Sequence, residues 1–156
     1  MIRLSWLFLM ACLMTHAYAQ EVFPAMCKPV IIDSETSVLT GGMSVLVMIH
    51  NFSDADLWLT HPISDPSASA GFSSRIQPNH WSALALDKKT FEISCVESKP
   101  GHEQQIACSS VLAVCKWTDV KIPEKLSGTF WAGEDMPLSE LIAYIGRRGF
   151  VLSNQS

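Results

Sequence analysis

Met43-Ser44-Val45-Leu46-Val47-Met48-Ile49-His50 is the stretch on which the fold turns. It is a short, nearly continuous apolar run, rich in β-branched residues and opened by Gly41-Gly42. Such a run, without polar alternation, suits a strand covered on both faces, and it belongs in the middle of the core. On its C-terminal side Asn51-Phe52-Ser53-Asp54 reads as a polar turn and Leu57-Trp58-Leu59-Thr60 as a second strand, ended by His61-Pro62. The pair is expected to form a hairpin. Residues 64–74 are almost all small or turn-forming, which indicates an exposed loop rather than a linker between domains.

Further out, Trp81 to Leu86 is another apolar strand, and Phe91-Glu92-Ile93-Ser94-Cys95 alternates, placing Phe91, Ile93 and Cys95 on one face, toward the core. Pro100-Gly101 marks a hairpin turn, with Gln104 to Trp117 as the return strand. Cys108 and Cys115 would point to opposite faces of a straight strand of that length, so a bulge or bend is expected near Ser109-Ser110. The period then changes. Leu138, Leu141, Ile142 and Ile145 follow the i, i+3, i+4, i+7 pattern of one amphipathic helix, with Asp135 or Met136 at the cap, Pro137 just inside the start and Gly149 past the last turn. Phe150-Val151-Leu152 reads as a final strand, and there is no internal repeat. The expected architecture is mainly β: an antiparallel β-sandwich or barrel with one C-terminal α-helix.

The N-terminus reads as a secretory signal peptide. Arg3 precedes the apolar stretch Leu4 to Met14, and the small-residue box Ala17-Tyr18-Ala19 predicts cleavage after Ala19 and a mature chain beginning at Gln20. The apolar run is broken by Thr15 and His16, short of the roughly 20 residues a spanning helix needs. Cys12 lies within that run, so no cysteine stands at the cleavage point to take a lipid anchor. Residues 20–156 are expected to form a single disulfide-bonded domain in the periplasm or outside the cell. Four cysteines remain in it: Cys27, Cys95, Cys108 and Cys115. They admit three connectivities, and the sequence does not choose among them. The preferred one joins Cys95 to Cys108 across the expected hairpin and Cys27 to Cys115 around most of the domain. Zinc is the rival reading, weakened by the absence of a C-x-x-C pair and by export into an oxidising space.

Loss of Arg3 leaves 10 Lys and Arg against 15 Asp and Glu, a formal charge of −5, with no basic run to follow phosphates, so nucleic acid is not an expected partner. His50, His61, His80 and His102, with Met43 and Met48, offer ligands for copper or zinc, but their spacing matches no compact motif and core packing accounts for the methionines. Asp54 with Asp56 fits a turn, and Glu134 with Asp135 fits the approach to a helix N-terminus, so neither carboxylate pair needs a catalytic role. The motifs of nucleophilic, zinc-dependent and nucleotide-dependent enzymes are absent. No cofactor and no enzymatic activity are expected. Arg147 and Arg148 suit the end of a helix as cations facing its dipole. With Trp131, and near Phe130, they also make the one candidate partner-binding patch, since Trp and Arg are enriched at interface hot spots. Asn51-Phe52-Ser53 satisfies the N-glycosylation sequon, relevant only in a eukaryotic source.

The segment Gly128-Thr129-Phe130-Trp131-Ala132-Gly133-Glu134-Asp135-Met136, followed by Ala143-Tyr144-Ile145-Gly146-Arg147-Arg148-Gly149-Phe150-Val151-Leu152, resembles the C-terminal signature of the EnhB family of enhanced-entry proteins. These are exported by intracellular bacterial pathogens, and the cysteine-bearing segment Phe91 to Trp117 also resembles the family. The resemblance covers the C-terminal half and the signal peptide. It implies a non-catalytic periplasmic or secreted interaction protein, associated with virulence and host-cell invasion, whose partners are other envelope or periplasmic proteins. It carries no catalytic residues. Two other classes stay open: a periplasmic metal carrier using His50, His61 or His80, and an inhibitor of peptidoglycan-cleaving enzymes that fills an enzyme cleft with an exposed loop.

Overall fold

The computed structural model describes residues 23–32, 36–40, 45–60, 73–87 and 89–152. The leader read over residues 1–19, Met43, His61 and nearly all of the 64–74 loop lie outside the described residues. In chain order the strands are β1 (Lys28–Val30), β2 (Thr36–Thr40), β3 (Val45–Asn51), β4 (Asp56–Thr60), β5 (Ser73–Ile76), β6 (Trp81–Leu86), β7 (Thr90–Lys99), β8 (His102–Ile106), β9 (Leu112–Trp117), β10 (Val120–Lys121) and β11 (Phe130–Met136). Helix α1 (Leu138–Arg147) and strand β12 (Val151–Leu152) follow. The molecule is a mainly antiparallel β protein with one C-terminal helix.

Two open sheets face each other. The first runs β1-β9-β3-β6-β11 and the second β2-β7-β4-β5, with β8 extending from β7. Between them pack Val45, Val47 and Ile49 of β3, Leu84 and Leu86 of β6, and Val114 of β9, against Leu57, Leu59, Ile76, Phe91 and Ile93 of the second sheet. The first sheet has a second covered face. There Leu46 and Met48 of β3, Trp81, Ala83 and Ala85 of β6, and Cys115 and Trp117 of β9 meet Leu141 and Ile145 of α1, with Phe150 and Leu152 beyond it. Alternate residues of β3 thus enter two different cores, which is why its sequence is apolar at nearly every step. Each large aliphatic side chain so buried is worth about 1.5–3 kcal/mol. In this sandwich a third layer, the helix, covers one sheet.

Two expectations about connectivity are corrected. β3 and β4 do not form a hairpin: β3 is flanked by β6 and β9, while β4 pairs with β5 and β7 in the other sheet. The corner at Phe52–Ala55 carries the chain between the sheets, because both hydrogen-bonding edges of β3 are already taken. The segment Gln104 to Trp117 is likewise not one strand. A 3-10 turn at Cys108–Ser110 interrupts it, in the place expected for a bend, and moves the chain from β8 in the second sheet to β9 in the first.

The disulfides are Cys27–Cys115 and Cys95–Cys108. The pairing is the preferred one, but the second bridge does not run directly across the hairpin ladder. Lys99 pairs with His102 around Pro100-Gly101, and this register sets Cys95 opposite Ile106. Cys108 lies past the end of that ladder, where the 3-10 turn directs it back to Cys95.

Helix α1 begins one position later than expected. Pro137 is the N-cap, in extended conformation at φ −54° and ψ 146°, while Asp135 belongs to the end of β11. The C-terminus closes as a Schellman motif: Gly149 N–H bonds Gly146 O at 3.0 Å and Phe150 N–H bonds Ile145 O at 3.2 Å, with Gly149 at φ 91°. Phe150 and Ile145 are both buried in the helix-side core. The helix approaches β11 so closely that a Cβ on Gly133 would overlap the Leu141 side chain.

Candidate functional site

β11 is an edge strand with register shifts against β6 on both sides of Gly133. Bulges of this kind twist an edge and redirect side chains. Asp135 lies within the second irregularity at φ 52°, a left-handed conformation that a short polar side chain tolerates better than most. There its carboxylate meets the turn between β5 and β6. Oδ1 accepts from Gln77 N–H at 2.7 Å and lies 2.9 Å from His80 Nδ1, while Oδ2 accepts from Gln77 Nε2 at 2.8 Å. The Asp135 N–H donates to Ser82 Oγ at 3.0 Å. Burial works against ionisation, but the hydrogen bonds from the Gln77 backbone and side chain, together with His80, outweigh it and hold the carboxyl below its ordinary value.

The cluster staples one open side of the sandwich. Ser82 is fully buried and bonded to the Asp135 backbone rather than to His80, so the three residues are not arranged as nucleophile, base and orienter. The sign of the linkage follows from the lowered pKa. Asp135 stabilises the fold at pH values above its unfolded value near 3.8, and that contribution is lost as pH falls through the folded value. We expect Asp135→Asn to cost about 1 kcal/mol at pH 7, a magnitude discounted for partial exposure, and to cost much less near pH 2.5. Urea unfolding at the two pH values checks this; an equal loss at both would sink the electrostatic account.

The expected partner patch is divided by the fold. Arg148 is half-buried, and its Nη1 donates to the carbonyls of Trp131, at 3.2 Å, and Ala132. Its guanidinium lies 5.8 Å from the centre of the Phe130 ring and 5.9 Å from that of Tyr144. It therefore locks α1 to β11 and covers carbonyls on an edge that could otherwise pair with another strand. Trp131 packs toward the inter-sheet core. Arg147 is exposed on the helix, over the opposite face of the first sheet, and lines a hollow of about 420 Å³ with Met136, Ser139, Glu140, Ala143 and Tyr144.

The histidines are dispersed. His50 is buried and stacked on Trp81 at 4.4 Å, His80 faces Asp135, and His102 is exposed at the β7–β8 turn. Among the described residues no group of three or more His, Cys, Asp or Glu side chains could hold a metal ion. Met48 is fully buried in the helix-side core. Asp54 is exposed in the corner after β3, and Asp56 is ion-paired with Arg75. Glu134 is exposed on β11, beside the stapled Asp135. The sequon asparagine, Asn51, is fully buried with both ends of its amide hydrogen-bonded, which closes it to glycosylation in the folded protein.

Sequence reasoning missed the outward face of the second sheet. Trp58 is 38% exposed there, between Val96 and Arg75 on the flanking strands. The signal was present: in Leu57-Trp58-Leu59 the leucines face the core, so alternation alone sends the indole outward. The hydrogen bond and then the charge of Asp56 raise the Arg75 guanidinium above its ordinary value. Among the described residues no helix is long and apolar enough to cross a membrane. Comparison with protein-family models, curated proteins and solved structures finds no match for this chain.

Proposed function

We propose that this chain is an exported, non-catalytic interaction protein of the periplasm or the extracellular space, associated with host-cell invasion, and that its partners are other envelope proteins. The observation that carries the reading is the docking of α1. Arg148 and the Schellman turn tie the helix to the first sheet, and its outer side presents Arg147, Tyr144 and Met136 around an open hollow. Two buried disulfides suit an oxidising compartment. The resemblance of the segment 128–152 to the EnhB family points to the same class, and that segment includes β11 and α1.

The test is affinity capture from an envelope extract of the source organism, with the disulfide-bonded domain as bait and Arg147→Glu as its control. Arg148 is unsuitable for this purpose because it holds β11. We expect one or more envelope proteins to be retained by the native bait and depleted about tenfold or more with Arg147→Glu, a change of about 1.4 kcal/mol. Equal retention by both baits would move the partner surface away from the helix. Retention of nothing would overturn the reading.

A further inference from the structure

The outward face of the second sheet carries an aromatic platform that neither the core nor the helix surface uses. Trp58 stands in the middle of β4, with Val96 directly opposite on β7 and Arg75 on β5, and Gln105 of β8 continues the same row beyond Val96. Residues directly opposite in antiparallel strands project to the same face. The next row, two residues or about 7 Å along the strands, holds Asp56, Ser98 and Glu103. Asp56, Ser98 and Glu103 line an open cleft of about 630 Å³ with Lys99 and His102 of the hairpin tip. Asp56 joins the two features, since it neighbours Trp58 on β4 and is bonded to Arg75.

The surroundings of the indole select its ligand. A lipid surface, or the desolvated pocket in which a Trp–Arg protein hot spot sits, calls for more apolar surface around the tryptophan, whereas here the neighbours beyond Val96 are Gln105, Ser98, and Thr60 hydrogen-bonded to Ser94 at 2.7 Å. A phosphate-rich or sulfated ligand needs an excess of cations. This face instead has Glu103 beside the balanced Asp56–Arg75 pair, and Lys99 is bridged to Glu97 at 3.2 Å. What remains is a flat ring edged by hydrogen-bonding groups of both kinds. A pyranose with equatorial substituents matches it, because its axial C–H bonds can lie on the indole while its hydroxyls reach carboxylates, amide and guanidinium at the rim.

We propose that the outer face of the second sheet binds a neutral, β-linked pyranose oligosaccharide, with Trp58 as the stacking platform and Asp56, Arg75, Ser98 and Glu103 supplying the polar contacts. Consecutive sugars of an extended chain would run from the indole into the cleft. This site is separate from the helix surface around Arg147.

The experiment is a titration of the disulfide-bonded protein with chitohexaose, cellohexaose and, as the axially linked control, maltohexaose, followed by calorimetry and tryptophan emission. We expect saturable binding of at least one of the first two with Kd on the order of 10⁻⁴ M, and weaker or no binding of maltohexaose. Trp58→Ala should weaken binding about tenfold or more, Trp58→Phe less, and Glu103→Gln several-fold, each with an unchanged far-ultraviolet spectrum and melting temperature. No binding of either β-linked oligosaccharide at about 10 mM would overturn the proposal. So would equal affinity in Trp58→Ala, or maltohexaose binding as tightly as the others. Because envelope capture is read through Arg147, failure here and failure of the interaction reading are distinguishable.

Discussion

Replacing both Cys27 and Cys115 by Ala is expected to lower the unfolding free energy by about 4 to 5 kcal/mol, the largest effect of any change considered for this protein. The bridge closes a loop with a sequence separation of 88, so it removes much of the conformational freedom of the unfolded chain. It also anchors β1, a three-residue edge strand that among the described strands pairs with β9 alone, since Cys27 immediately precedes β1 and Cys115 lies opposite Pro29 in that ladder. Both cysteines are buried in the helix-side core, the cluster that also holds Trp117 and Phe150, so their removal leaves a defect there. The Cys95–Cys108 bridge has a sequence separation of only 13 and should be worth about 3 kcal/mol on the same reasoning. The order of the two double-alanine variants in thermal unfolding is the decisive readout. The first should lose roughly 10–20 °C and the second less. If the short-loop variant proved the weaker protein, strain or residual unfolded-state structure would have to replace loop closure as the dominant cause. Since domains of this size are stable by only about 5–15 kcal/mol, the first variant should approach the limit at which it folds at all.

The second large effect is expected at Asn51, where substitution by Ala should cost about 3 kcal/mol. Asn51 ends β3 and is fully buried. Its Nδ2 donates to Ala55 O at 2.8 Å and to Ile76 O at 2.9 Å, and its Oδ1 accepts from Ser53 N–H at 2.9 Å and Ser53 Oγ at 2.7 Å. Its backbone is engaged too, with its N–H on His80 O and its carbonyl on Asn79 N–H. The side chain thus joins the crossing between the sheets to the end of β5, and the backbone of the same residue ties it to the turn that leads into β6. Alanine would leave buried carbonyls without their donor, and each such group costs about 1–3 kcal/mol. Asn51→Asp, nearly the same shape, should be at least as damaging, because a carboxylate supplies no donor and faces two carbonyl oxygens. Urea denaturation of both variants provides the check, and a loss below about 1 kcal/mol in each would mean that water replaces the amide.

Much of the architecture was legible from local pattern. β3, β6 and the start of β7 are strands where apolar runs or strict alternation placed them, and α1 lies where the period shifts to that of a helix. Burial of Phe91, Ile93 and Cys95 on one face follows from alternation alone. β11 was not legible as a strand. Gly133, Glu134 and Asp135 carry turn and cap chemistry, and the strand tolerates them only because its bulges fit Gly133 beneath α1 and turn Asp135 toward Gln77. The short strands β1, β5 and β10 also carry too few residues to show a period, and each exists through its partner, whereas β12 lies within the final strand read at Phe150-Val151-Leu152. As for function, Arg147 and Arg148 look equivalent in sequence. Packing separates them, giving one to the edge of β11 and leaving the other exposed.

By itself the amino-acid sequence determined the class of the molecule: strands from side-chain period, one helix from its apolar stripe, and four cysteines C-terminal to an apolar N-terminal stretch. These are properties of neighbours along the chain, which local sterics and burial settle. Only the tertiary structure decided which strands share a sheet, that Asn51 directs the chain from one sheet to the other, that Cys108 reaches Cys95 from beyond the ladder, and that Trp58 and Glu103 share one outward face. Those are pairings between distant segments. Every strand offers the same backbone donors and acceptors to any other, so the choice among partners rests on how the two cores fill and on which buried polar groups can be satisfied together.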